Sequence, residues 1–335
     1  MNRQLVSLLL LMMGLMLISL GCSTATETEA EKTKVRLVEV TRSIFYTPQY
    51  VALNLGFFEE EGLEVELTTG WGGDKTMTTL LSDGADIALV GSETSIYVYQ
   101  QGSEERVLNF AQLTQTDGTF LVSREKMEPF DWNQLKGSTF LGQRTGGMPQ
   151  MVGEYVLKKH GIDPHNDLEM IQNIDYANIP NAFASGTGQF VQLFEPQASL
   201  FEQEGIGYVV ASFGVESGNV PYTSYLAKET FIEKNEEVIQ RFTNAIYKAQ
   251  KWVYETSSQE VAEAIAPYFE DTDSNILVDS VERYKEQQSF KPDPLLEESH
   301  WEQLQNIIEE AGELEKRVPY EELVETRFAK RAMNQ

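Results

Sequence analysis

Cysteine is nearly absent from this sequence: 335 residues contain one, Cys22. A lone cysteine closes no internal disulfide and cannot build a CxxC redox or zinc site. Histidine is almost as scarce, with only His160, His165 and His300. The first two flank Gly161 at an expected helix end, and the third lies in the acidic tail. None falls on a loop expected to line a cleft. That argues against a Ser-His-Asp arrangement or an H-x-x-x-H metal site, so no catalytic residue, metal ligand or cofactor is expected. Positive charge is short as well. Lys and Arg number 26 against 52 Asp and Glu, a net charge of −26. A chain this acidic is repelled by nucleic acid and by anionic membrane surfaces, and no nucleic-acid partner is expected. A phosphate loop is also missing, although GWGGDKT (70–76) invites the comparison. The G-x-x-x-x-G-K-[ST] pattern requires glycine where this chain has Asp74, and again where it has Thr69. What remains is Gly72 and Gly73, which let a backbone approach something closely at a helix start.

The N-terminus is richer. MNRQLVSLLLLMMGLMLISLGC carries Arg3, then an apolar run from Leu5 to Leu20, then small residues. This is the pattern of a secretory signal over residues 1–21, although the run is just long enough to span a membrane as one helix. Gly21-Cys22 resembles the lipobox of bacterial lipoproteins, with Ser19 where that box usually has Leu. The resemblance implies that Cys22 is lipidated and holds the protein to the outer side of the cell membrane. Residues 22–34, rich in Thr, Glu, Ala and Lys, read as a flexible tether. The remaining chain is too long for one small core, so two domains are expected.

From Val35 onwards strands and helices alternate. VRLVEV (35–40), a segment at 64–68, ADIALVG (85–91) and VLNFAQLT (107–114) read as strands separated by short helices. A second series runs through STFLGQ (138–143), a helix over 148–160, LEMIQ, FVQLFE (190–195) and GYVVAS (207–212). After Tyr225 the pattern is helical, with Val238, Phe242, Ile246 and Trp252 at helical spacing. The fold class expected is α/β: two lobes of parallel-rich sheets flanked by helices, followed by a helical C-terminal part. Such sheets take ligands at the carboxyl ends of their strands, which places a ligand cleft between the lobes.

IFYTPQYVALNLGFFEEEGLEVEL and LLSDGADIALVG resemble the first conserved blocks of solute-binding proteins of ABC importers. The branch is the one serving nitrate, taurine, alkanesulfonates and thiamine-pyrimidine precursors. The resemblance implies a two-lobed fold of the periplasmic-binding-protein type II kind. Lobe one would hold 35–120 plus 223–335 and lobe two 121–222, with hinge strands crossing near Phe120–Val122 and Thr223–Tyr225. It also implies a monomer that delivers a small-molecule ligand to an ABC permease and its ATPase. The loops after the strands offer Ser43, Phe45, Tyr46, Trp71, Gly73, Ser92, Glu93, Thr94, Gln115, Thr116, Arg144, Gly147, Met148, Tyr176, Phe194 and Glu195 as ligand-binding candidates. Aromatic faces beside hydroxyls and amides suit a flat or compact organic molecule. Glu93 and Glu195 would accept from a donor nitrogen and repel nitrate or a simple sulfonate. Arg144 would clamp an acid group or pair with one of the glutamates. The order expected is a pyrimidine precursor, then a zwitterion such as taurine, then an alkanesulfonate. The other readings are a signalling or adhesion lipoprotein on the same fold and a pyrimidine-synthesising enzyme. The latter needs histidine near the cleft.

Overall fold

A computed structural model describes residues 32–334; the signal segment, Cys22 and most of the tether lie outside them. The first sheet opens with β1 (Thr33–Glu39), followed by α1 (Thr47–Asn54), β2 (Leu63–Thr69), α2 (Gly73–Leu81), β3 (Ile87–Gly91), α3 (Glu93–Gln100) and β4 (Val107–Thr114). Pro48 occupies the first turn of α1, where a missing N–H costs nothing. Gly56 follows that helix at φ 74°, a left-handed conformation that only glycine adopts freely. β1 pairs in parallel with β2 on one side and β3 on the other, and β3 is apolar because helices cover both faces.

The chain then enters a second sheet. Its elements are β5 (Thr119–Ser123), β6 (Thr139–Leu141), α4 (Met148–Lys159), β7 (Glu169–Ile171), β8 (Phe190–Phe194), α5 (Gln197–Gln203) and β9 (Tyr208–Ser212). It returns as β10 (Thr223–Lys228) and continues into α6 (Glu236–Glu255), α7 (Ser274–Glu286) and α8 (Glu298–Glu310). The sheet orders are β2-β1-β3-β10-β4 and β7-β6-β8-β5-β9. Each sheet thus has one strand antiparallel to its neighbours, and in each case it is the strand delivered by a crossing from the other sheet: β5 beside β8 and β9, β10 beside β3 and β4. This corrects the expected hinge. β5 and β10 do not cross; each lies wholly within one sheet. The passages are the short linker 115–118 and the segment 213–222.

A second correction concerns α6. The buried stripe is Ile239, Phe242, Ile246, Ala249 and Val253, while Val238 and Trp252 are only half-buried. Phe242 packs against Phe58 at 4.9 Å and Tyr225 at 4.9 Å, tying the helix to β10. The C-terminal helices also reach the second sheet. From α7, Arg283 ion-pairs with Glu195 and Glu202, and the Tyr284 hydroxyl donates to the Gly118 carbonyl at 3.0 Å. Lys158 on α4 donates to the Glu310 carbonyl of α8 at 2.9 Å. The helical part therefore contacts both lobes.

Candidate functional site

The seam between the sheets is built outwards from β1. Its last residue, Glu39, is fully buried and accepts from Gln49 (2.8 Å), the Tyr50 hydroxyl (2.7 Å), Thr69 (3.2 Å) and Arg42 (3.2 Å). Burial raises its carboxyl pKa, and the Tyr50 hydrogen bond and Arg42 charge oppose that rise. This network fixes the loop that follows. The Ser43 hydroxyl accepts from the Phe45 N–H at 3.2 Å, capping a short 3₁₀ turn that delivers Phe45 and Tyr46 into the seam. The Phe45 ring lies 5.2 Å from Tyr284, 5.4 Å edge-on from Tyr222 and 6.1 Å from Phe194. Residues from both lobes and both crossings thus meet on one ring. Gly118 makes that possible, because a Cβ there would lie 2.9 Å from both Phe45 and Phe194.

Glu93 begins α3 directly after β3. It is 6 % exposed, and its Oε2 has no hydrogen-bond partner among the described residues. The side chain folds back over Gly91, where a Cβ would collide with the carboxylate. Tyr46, Tyr97 and Tyr222 all feel its charge, and no lysine or arginine pairs with it among the described residues. Burial without a compensating cation pushes its pKa up to about 8. A buried acceptor with nothing to accept from is costly, and such groups concentrate at functional sites. Its neighbours are already engaged: Ser92 donates to the Ser224 hydroxyl at 2.8 Å, and Thr94 to the Gly91 carbonyl at 2.6 Å.

Trp71 is 67 % exposed at the tip of the loop after β2 and holds φ 59°, a strained value for a bulky residue. Gly72, at φ 143°, precedes Gly73, the first residue of α2. In the second lobe Arg144 is exposed and has no hydrogen bond or ion pair among the described residues, so it pairs with neither glutamate. Gly147 and the buried Met148 start α4. Tyr176 packs on Phe194 at 5.9 Å.

Glu195 stands differently from the expectation. Its Oε1 accepts from Arg283 at 2.7 Å and from the Ser199 hydroxyl at 3.0 Å, and its Oε2 accepts from the Ser199 N–H at 2.9 Å. Both oxygens have protein donors where a ligand nitrogen was expected, so its role here is to anchor α5 to α7. Gln115 and Thr116 likewise bond to the end of α7, through Gln288 and Ser289. They belong to the first crossing, not to the cleft wall.

A cavity of about 400 Å³ opens at this seam, bounded by Arg42 and Ser43, by Gln143, Tyr176, Phe194 and Glu195, and by Tyr268 through Thr272. Of the expected residues it brings together Ser43, Tyr176, Phe194 and Glu195. Phe45, Tyr46 and Glu93 are buried and do not line it. The histidines sit elsewhere: His160 on Glu216 at 2.8 Å, His165 on Glu154 at 3.5 Å and His300 on Glu297 at 3.6 Å.

Sequence reasoning missed Asp117, Tyr222 and Tyr284. Asp117 is fully buried in the first crossing, where its Oδ1 accepts from the Thr119 N–H at 2.7 Å. Its pKa is pushed up to about 6 by burial. A signal existed for the first two: Asp117-Gly118 and Pro221-Tyr222 are turn-forming pairs beside the expected hinges. Nothing in the helical pattern of α7 marks Tyr284 as inter-lobe.

The family model of the NMT1-like family matches residues 28–267. The chain belongs to that family. Within it, this member is 63 % identical over 303 residues to "Putative binding protein YtlA" of Bacillus subtilis (strain 168), covering 90 % of this chain and 91 % of that one. The fold is shared with a ligand-binding component of an ABC-type import system from Staphylococcus aureus. That pair has a TM-score of 0.71 and 14 % identity, covering 90 % of this chain and 99 % of the other. It is also shared with the alkanesulfonate-binding protein SsuA of Xanthomonas axonopodis pv. citri bound to MOPS, with a TM-score of 0.69 and 15 % identity, covering 89 % and 99 %. These relatives of the NMT1-like chain carry the names of binding proteins, not of enzymes. Among the described residues no helix is long and apolar enough to cross a membrane.

Proposed function

We propose that this NMT1-like chain is the extracytoplasmic binding subunit of an ABC importer, lipid-anchored through Cys22 and monomeric. It captures a small organic nutrient bearing a donor nitrogen and hands it to a permease driven by an ATPase. The observation that carries the ligand class is Glu93: a buried carboxylate at the inter-lobe seam with an unpartnered oxygen and no cation beside it. A ligand N–H or ammonium supplies the missing partner, and a charge-assisted hydrogen bond in a desolvated site is a strong one. A simple anion there is repelled by the ionised carboxylate and finds no cation beside it. The aromatic faces of Tyr46, Phe194 and Tyr176 favour a flat or compact body. The preferred order is therefore a pyrimidine precursor, then a zwitterion of the taurine kind, then a plain alkanesulfonate. The names of the structural neighbours support transport as the activity. Arg144, exposed and unpaired, supplies a clamp for the acid end of a zwitterion when the lobes close.

A thermal-shift panel of aminopyrimidines, taurine, alkanesulfonates and nitrate tests the reading, because a ligand that binds only the folded state raises the midpoint. The expected result is a rise with donor-nitrogen compounds. A rise with nitrate or simple alkanesulfonates alone overturns it.

A further inference from the structure

Glu93 is not the only unsatisfied acceptor at the seam. The Tyr222 hydroxyl and Asp117 Oδ2 are buried too, in residues 4 % and 0 % exposed, and among the described residues they have no side-chain hydrogen-bond partner but each other. The three belong to one cluster: the Tyr222 phenol feels the charges of both Asp117 and Glu93. They come from three separate segments. Glu93 starts α3, Asp117 lies in the first crossing and Tyr222 in the second. Thr119 satisfies only the other oxygen of Asp117. Stranding one buried polar atom costs about 1–3 kcal/mol, so the open Glu93 oxygen and the open lone pairs of the Tyr222 oxygen are not a neutral feature of the packing.

We infer that Tyr222, oriented by Asp117, is a second recognition group of the same site, and that the ligand presents two N–H donors, one to Glu93 and one to the Tyr222 oxygen. This rests on the donor-nitrogen reading above and narrows it. The Tyr222 phenol donates its hydrogen bond to Asp117 Oδ2, which turns the lone pairs of the phenol oxygen towards the ligand. Asp117 touches no ligand and is a positioning residue. Its placement is fixed independently: its carbonyl accepts from Gln287 at 2.6 Å, and the next carbonyl, Gly118, accepts from Tyr284. Phe45 stands edge-on to Tyr222 and all three residues are buried, so a ligand reaches them only when the lobes part. One bound molecule then bridges α3 and the second crossing, with the first crossing held behind it, which links recognition to the approach of the lobes. The raised pKa values of Glu93 and Asp117 agree with a site that carries acceptors and no cation of its own. Anions meet no cation here.

The test is titration calorimetry with benzamidine, a flat cation with two NH2 groups held in a fixed fork, and with benzylamine, whose donors all sit on one nitrogen. Both are run on the full chain and on its Tyr222→Phe, Asp117→Asn and Glu93→Gln variants. Benzamidine is expected to bind the parent at least tenfold more tightly than benzylamine. Tyr222→Phe is expected to bring that ratio close to one, and Asp117→Asn to reduce it at least threefold. A ratio is insensitive to a general loss of folded protein, so it separates recognition from stability. A ratio unchanged in both variants overturns the inference. If it is unchanged there while Glu93→Gln still weakens both probes, the donor-nitrogen reading stands and only the second group falls. If neither probe binds the parent, or no variant alters binding, both fall.

Discussion

The Arg283 guanidinium lies 2.7 Å from the Glu195 carboxylate, joining a C-terminal helix of one lobe to the loop after β8 in the other. Glu195 has no exposed side-chain surface, and burial raises its pKa against the opposing charge of Arg283. Removing the arginine leaves a buried acid with only Ser199 to satisfy it. Arg283→Met should cost about 3–5 kcal/mol, the range for breaking a buried pair. The double variant Arg283→Met with Glu195→Gln should recover most of that loss in denaturant unfolding. A single variant as stable as the parent would show the pair to be incidental.

Stability should fall as pH rises. Glu93 has a folded-state pKa of about 8 against 4.5 unfolded. The folded protein therefore holds the proton more tightly, and the advantage is lost progressively between pH 4.5 and pH 8. At 1.36 kcal/mol per unit the full effect is of the order of 5 kcal/mol. Asp117, at about 6, adds to the same trend below pH 6. Glu93→Gln should match the parent near pH 4.5 and exceed it near pH 8.5. Thermal melts across this range check it, and parallel profiles for the two proteins would contradict it.

Gly118→Ala should destabilise by about 1–3 kcal/mol, because the new methyl meets two buried rings at 2.9 Å and neither yields as a flexible chain end would. It should also weaken ligand binding by displacing Phe45. A stability equal to the parent's in chemical denaturation would mean that the Phe45–Phe194 contact is loosely held.

Much of the fold is legible in the sequence because period-2 and period-3.6 patterns are local. β1, β4 and α4 fall within a few residues of their expected bounds. The seam is less legible. Whether Glu195 faces a ligand or Arg283 depends on a helix nearly ninety residues later, and sequence spacing carries no such distance. Glu93 could be placed because it stands at a strand end before a helix. Turn-forming pairs set Asp117 and Tyr222 beside the expected hinges but not beside each other, since their meeting depends on two crossings folding onto one another.

Trp71 should separate stability from binding. At φ 59° it carries a left-handed strain that glycine relieves, so Trp71→Gly should keep stability within about 1 kcal/mol of the parent. Its ring is 67 % exposed, with little packing to lose. If it folds onto the ligand, affinity should drop at least fivefold. Equal affinity in titration calorimetry removes Trp71 from the site.

The most direct measurement is the affinity of the parent and of Glu93→Gln for 4-amino-2-methylpyrimidine and for ethanesulfonate, by calorimetry at pH 8. Glu93 is then about half ionised before the ligand arrives. The account predicts binding of the aminopyrimidine by the parent, a loss of at least tenfold in Glu93→Gln, and no measurable binding of ethanesulfonate. Binding of ethanesulfonate by the parent, with the aminopyrimidine silent, would contradict it.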